Sequence, residues 1–475
     1  MHSPFWHSLP ISVGVVMDLL SAGGTHPIKG KAGALRVLHV NKFLYRRGGA
    51  EGYLLDVAEL QRYAGDEVAF FGMRHPDNEA QRYESWLPDL IDLEPAPRGL
   101  RAAPAAARMI WSTSSRRGIG KVLQDFKPDI VHFHNIYHQL SPSVLDGVAR
   151  AGVPCVMTLH DYKLACPSYQ LLDHGSLCEA CITGGPWQAA RRRCKDGSLA
   201  ASSLLSLESW LHRVSRAYSP VDVFISPSRF LADVMARAGV FPERMRVINH
   251  FVELTPPATS TDGRRLVFAG RLSVEKGVDV LIEAMSMVRT EARLDIAGDG
   301  PERARLEALA SRHSLGSRIT FHGRLTKPEL TSLMSGSTAS VVPSRWHENQ
   351  PMTVLESFAA AVPVIATSLG GLPEMVRDGV DGWVIPPEDP VALARAIDDA
   401  LSDPLGTVRR GLSTPRRVAR RLPPGHPQPS CAVRSRTAHE PTAPPPNRTG
   451  RRQQAPPTAH EPSPSRAGTG AASPA

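Results

Sequence analysis

The chain has 475 residues, 21% charged and 42% apolar, the composition of a soluble globular protein and a length suited to two domains, each with its own core. Its net charge of +9 is misleading: from Thr407 onward twelve Arg face only Glu440 and Glu461, a balance of +10, which leaves the rest of the chain near −1. A nucleic-acid partner for the folded body is therefore not implied, and no apolar run is long enough to cross a bilayer.

Residues 1–34 read as a disordered extension or a misassigned start. Leu9 to Leu20 is mildly apolar, but it contains Asp18 and no Lys or Arg precedes it, which makes a poor signal peptide. The first α/β block, residues 35–252, has strand candidates at 35–40, 67–71, 130–133, 155–158, 223–225 and 246–248. Helical stretches such as 51–63 and 230–238 separate them. A Pro- and Thr-rich connector at 253–263 breaks the pattern, and a second block restarts it over 264–405. Its strands fall at 266–269, 294–297, 319–321, 339–342, 364–366 and 382–385, and its helices at 278–287, 301–311, 328–334, 353–360 and 390–401. Short apolar runs alternating with helices predict parallel sheets covered on both faces, so the fold class is α/β with two Rossmann-like, doubly wound domains facing across a cleft. From 406 to 475 the chain holds no Lys, Ile, Phe, Tyr, Trp, Met or Asp but many Pro, and is expected to be disordered. A shifted reading frame near Pro404 is preferred over a natural linker as the origin of so abrupt a change.

Motifs concentrate in the second block. Phe268-Ala-Gly-Arg271 and Glu275-Lys276-Gly277 follow its first strand, and Ala297-Gly-Asp-Gly-Pro301 follows its second. Glu348 and Glu356 come next, then Pro363-Val-Ile-Ala-Thr367, Gly370-Gly371-Leu-Pro-Glu374 and Asp381-Gly382. A helix beginning near Met352 would set the two carboxylates about 10 Å apart, straddling a loop and a first helical turn, with helix amides between them. That frame suits an elongated ligand with hydroxyls at both ends and an anion in the middle, as in a nucleotide-sugar. In order and spacing, from about Arg265 to Leu401, these motifs resemble the nucleotide-sugar-binding half of glycosyltransferase family 4, whose members have the GT-B architecture and usually retain anomeric configuration.

The resemblance implies a donor site. Arg271 and Lys276 would contact the diphosphate, whose charge grows as the glycosyl group leaves. Glu348 would bind donor-sugar hydroxyls and Glu356 the ribose. Many relatives have Pro-Phe-Gly-Leu after the first Glu, whereas this chain has Asn349-Gln350-Pro351-Met352. Pro351 offers no amide hydrogen, so backbone donors would come from Met352 and Thr353. In the first block, Arg47-Gly48-Gly49-Ala50-Glu51 is similar to the family's glycine-rich loop. Gly48 and Gly49 let a ligand approach a helix N-terminus, although a plain tight turn is an alternative. This is not the dinucleotide fingerprint, so no nicotinamide cofactor is expected. His160, in Thr158-Leu-His160-Asp161, would orient the donor sugar. His132, His134 and His138 read as packing or loop residues. The implied catalytic set is His160, Arg271, Lys276 and Glu348, with no cofactor needed for the chemistry.

Two features lie beside this frame. Cys166, Cys178, Cys181 and Cys194 fall in an insertion at about 163–200; a structural zinc site competes with reduced, unlinked thiols as their explanation, with disulfides third. Arg98, Arg101, Arg108, Arg116, Arg117 and Lys121 surround Met109-Ile-Trp111, either as a solvated face or as a peripheral contact with an anionic membrane. The expectation is a cytoplasmic enzyme acting on a saccharide or lipid-linked acceptor. Its rivals are a phosphorylase or epimerase on the same double fold, and a decayed nucleotide-sugar-binding protein without a closing C-terminal helix.

Overall fold

The computed structural model describes residues 34–79, 81–91, 102–255 and 263–419. Residues 1–33 and 420–475, where the extension and most of the tail were expected, lie outside the described residues. Two six-stranded parallel sheets carry the chain. The first contains β1 (Arg36–Val40), β2 (Glu67–Phe71), β3 (Ile130–Phe133), β4 (Cys155–Thr158), β7 (Val223–Ser226) and β8 (Met245–Val247), in the order β2-β1-β3-β4-β7-β8. The insertion between β4 and β7 adds the small hairpin β5 (Leu172–Asp173) and β6 (Ser176–Leu177).

The second sheet contains β9 (Arg265–Ala269), β10 (Arg293–Ala297), β11 (Ile319–Gly323), β12 (Ala339–Val342), β13 (Val364–Thr367) and β14 (Gly382–Ile385). Its order is β11-β10-β9-β12-β13-β14. All twelve expected strands are present. In each sheet the order reverses beside the domain's first strand, between β1 and β3 and between β9 and β12. Loops leaving the strand C-termini at such a reversal run to opposite faces and leave a crevice between them.

Strands covered on both faces are mostly apolar on both. In the first sheet Leu38, Val40, Val131 and Phe133 pack on one face with Ile119, Val122 and Phe126. On the other face Val37, Ile130 and Val156 meet Tyr53 and Val57 of helix Gly49–Tyr63. The second sheet is built alike, with Leu266, Leu294 and Ile365 against Leu281 and Ile397, and with Val342, Val364 and Ala366 against Val354 and Phe358.

The expected disorder from residue 406 is corrected in part: Pro404–Ala419 is a helix. It packs on helices Met352–Ala359 and Pro390–Ser402, so the second domain extends to at least residue 419. Its inward stripe is Thr407, Gly411, Thr414 and Val418, whereas Leu405, Val408 and Leu412 point outward. A stripe of two threonines and a glycine leaves no apolar periodicity to read, and Pro415 inside the helix argues against one. The threonine hydroxyls are satisfied locally: Thr407 donates to the Ala400 carbonyl at 2.7 Å and Thr414 to the Phe358 carbonyl at 2.8 Å.

Candidate active site in the interdomain cleft

The second-domain half of the site lies at the reversal between β9 and β12. Lys276 comes from the loop after β9, Glu348 from the loop after β12. Gly277 adopts φ +66° directly against the Pro343 carbonyl, where a Cβ would collide, and this close approach brings the two loops together. Lys276 Nζ then lies 2.7 Å from Glu348 Oε1, and the Ser344 hydroxyl donates to the same oxygen at 2.6 Å. Glu348 is only 4% exposed. Burial pushes its pKa up, but the Lys276 charge and the hydrogen bonds from Lys276 and Ser344 outweigh burial and hold it below the usual value. Ser344 was not singled out in the sequence.

The paired glycines have a definable task. Gly371 donates its N–H to the Glu348 carbonyl at 2.6 Å, and Gly370, at φ +62°, abuts the same backbone. Arg271 is exposed and its guanidinium takes no partner among the described residues. The helix begins at Met352 behind Pro351, as expected. Its first amides have no intrahelical acceptor, while the Thr353 hydroxyl donates to the Ala269 carbonyl at 3.0 Å. Glu356 is the fifth residue of this helix, one step beyond the expected first turn. It is half-buried and unpaired among the described residues. Burial raises its pKa, with Lys327 opposing and Asp56 adding to the rise.

From the first domain, Gly48 is extended and leads into helix Gly49–Tyr63 with no side-chain cap. A Cβ on Gly49 would lie 3.6 Å from Met352 Cγ, so these two expected donor-binding positions face one another across the cleft. His160 follows β4. Its Nε2 is 3.0 Å from His134 Nδ1, and its ring lies against Tyr53 and His250. Burial lowers its pKa to about 3, which keeps it neutral. His132 and His134 are buried as expected of packing residues, yet they contact His39 and one another rather than apolar neighbours alone. His138 instead pairs with buried Glu208 at 3.1 Å.

The two halves touch through the same loop that carries Glu348. Tyr162 Oη donates to the His347 carbonyl at 3.1 Å, and Ser228 Oγ donates to Asn349 Oδ1 at 2.7 Å. Gln350 Oε1 accepts from the His250 N–H. Glu374 accepts from the N–H groups of Arg229 at 2.9 Å and Phe230 at 2.6 Å. Asn349 and Gln350 are thus used for contacts between domains.

The four insertion cysteines are unlinked. The Cys181 thiol hydrogen-bonds Cys166, which pulls the Cys166 pKa down to about 6 and pushes Cys181 up, while Cys194 lies 3.7 Å from Asp173 Oδ1. The four thiols do not close to ligand spacing; among the described residues the side chains that do are His39, His132 and His134. Of the basic segment, Arg108 donates to the Asp89 carbonyl and Arg116 pairs with Asp146, while Arg98 and Arg101 lie outside the described residues. Among the described residues no helix is long and apolar enough to cross a membrane. A cavity of about 520 Å³ lined by Lys163, His212, Arg213 and Arg244 includes none of the expected site residues.

Two facing Rossmann-like domains with a charged crevice between them define the GT-B class. Residues 47–255 match the model of Glycosyltransferase Family 4 and residues 255–417 that of Glycosyl transferases group 1, so the chain belongs to this family. It is 29% identical over 281 residues to glycogen synthase of Mycobacterium tuberculosis, covering 57% of this chain and 66% of that protein. The chain spans less than two thirds of the length of the curated relatives it matches. Among solved structures, sucrose-phosphate synthase from Thermosynechococcus elongatus superposes with TM-score 0.59 at 19% identity, covering 81% of this chain and 94% of that one. Anabaena HepE in complex with UDP-glucose gives TM-score 0.55 at 18% identity, covering 82% and 96%.

Proposed function

We propose that the chain transfers a glycosyl group from a UDP- or GDP-sugar to a hydroxyl of a saccharide or lipid-linked acceptor, with retention of configuration, in the synthesis of a cell-surface polysaccharide or glycoconjugate. The carrying observation is the Lys276–Glu348 pair at the β9/β12 crevice, with Met352 of the following helix facing Gly49 of the first domain. Lys276 and Arg271 supply fixed positive charge where the departing diphosphate gains negative charge, and the Met352 and Thr353 amides add helix N-terminal donors. Glu348, ionised and oriented by Lys276 and Ser344, accepts from donor-sugar hydroxyls. Glu356 has its acceptor capacity free for ribose. His160, being neutral, orients the sugar and does not protonate it. The bond from the anomeric carbon to the phosphate oxygen breaks, the acceptor oxygen bonds that carbon on the same face, and its proton passes to the leaving phosphate. The UDP-glucose complex of Anabaena HepE supports the donor class.

Nucleotide release measured across UDP- and GDP-sugars with candidate acceptors tests this reading. Glu356→Ala is expected to cut transfer at least about tenfold and Lys276→Ala about 100-fold, with both variants still folded by circular dichroism. Wild-type rates in a folded Lys276→Ala protein would remove Lys276 from the site.

A further inference from the structure

Behind the cleft wall, the face of the first sheet that meets helix Gly49–Tyr63 carries three imidazoles among apolar neighbours. His39 and His132 are register partners on β1 and β3, and the two-residue strand period puts His134 on the same face. Their exposures are 0%, 2% and 0%. One nitrogen from each ring lies within 4.8 Å of those of the other two, and His39 Nδ1 is 3.3 Å from His134 Nε2. Two nitrogens bound tetrahedrally to zinc at about 2.0–2.1 Å stand about 3.3 Å apart. Each ring also has a partner for a second nitrogen. His39 Nε2 is 2.6 Å from Gln61 Oε1, His132 Nε2 is 2.8 Å from Thr158 Oγ1, and His134 Nδ1 is 3.0 Å from His160 Nε2. Ligating histidines are oriented in this way, with the outer N–H held by an acceptor so that the inner lone pair faces the ion.

We propose that His39, His132 and His134 form a binding site for one divalent transition-metal ion, with zinc as the expected occupant. Neutral imidazoles suit zinc, and three protein ligands leave a fourth position for water or hydroxide. The ion would tie β1 to β3 at the strand reversal. It would also set the proton on His160. With His134 Nε2 on the metal, His134 Nδ1–H donates to His160 Nε2, and His160 carries its proton on Nδ1. Without metal the chain runs the other way: His39 Nε2–H donates to Gln61, His134 Nε2–H donates to His39 Nδ1, and His160 Nε2–H donates to His134 Nδ1. Metal occupancy therefore decides whether His160 Nδ1 is a donor or an acceptor.

The site stands apart from the transferase reading, because its test needs no turnover. Chelator-treated full-length protein is titrated with Co²⁺ and with Zn²⁺, the latter in competition with a chromophoric chelator. A Cys178→Ser/Cys181→Ser variant runs in parallel. The expected result is one equivalent bound more tightly than about 1 µM, retained in the serine variant. Cobalt should show visible tetrahedral bands without thiolate charge transfer, and histidine ¹⁵N spectra should move His160 from Nε2–H to Nδ1–H on adding zinc. Failure of the wild-type protein to bind either ion would overturn the site, as would binding abolished by the serine substitutions in a folded protein. Full binding in a folded His39→Gln/His132→Gln variant would do the same.

Discussion

Glu348 and Glu356 are proposed to serve one donor, yet their surroundings push their pKa values apart. Lys276 and Ser344 hold Glu348 ionised despite burial, whereas burial raises Glu356, with Lys327 only partly opposing. As pH falls, Glu356 therefore takes up its proton first and loses acceptor capacity for ribose hydroxyls. Donor affinity measured by calorimetry should weaken on mild acidification, while Glu356→Gln should bind donor more weakly but with a flatter pH dependence. Stability runs with the opposite sign. A carboxyl whose folded pKa is raised penalises the fold at neutral pH, and the penalty disappears once pH drops below the unfolded value. Glu356→Gln should thus melt higher than wild type at pH 7 and converge with it in acid. A variant that melts lower at pH 7 would show Glu356 to be a structural partner. The residue identities at this site were legible because spacing in the loops after β9 and β12 survives in one sequence. The role of Ser344 and the convergence of His39, His132 and His134 were not, because they depend on which strands become neighbours.

At the scale of elements, every expected strand of both sheets formed, because strands covered on both faces leave short, mostly apolar runs between the helices. Helix Pro404–Ala419 escaped for the converse reason: small and hydroxylated residues make its inner face. Gly411 allows a close backbone approach, since a Cβ there would strike the Ala361 carbonyl, a backbone atom that cannot move aside. Ala is the better helix former by up to about 1 kcal/mol, but overpacking a fixed contact costs about 1–3 kcal/mol. Gly411→Ala should therefore destabilise the second domain in a urea titration rather than stabilise it. The same helix places Arg417 against fully buried Asp381, which Arg377 also holds at 2.8 Å. This packing gives the Asp381-Gly382 motif a structural partner lying in the stretch expected to be disordered.

For the whole molecule, the question is how two domains with separate cores act on one ligand. Their meeting points belong to the loops proposed to bind the donor. Residues 347, 349 and 350 flank Glu348 and reach Tyr162, Ser228 and His250, while Glu374 crosses to helix Arg229–Arg237. There Glu374 accepts from two first-turn amides, and Ser228 Oγ, the helix's own cap, takes the Leu231 N–H at 3.1 Å. A capping bond supplied by the other domain forms only when the cleft is shut, so it stabilises closure without strengthening either domain alone. The partners are 144 and 145 residues apart in sequence, which is why this role of Glu374 could not be read from its motif. Glu374→Ala removes a cap worth about 1 kcal/mol and should lower the closed-to-open ratio about fivefold. Small-angle scattering should then report a larger radius of gyration. Turnover should fall by up to the same factor, while donor affinity changes less. An unchanged radius with unchanged turnover would mean that the Gly49–Met352 approach and the Asn349–Ser228 bond suffice to hold the cleft closed.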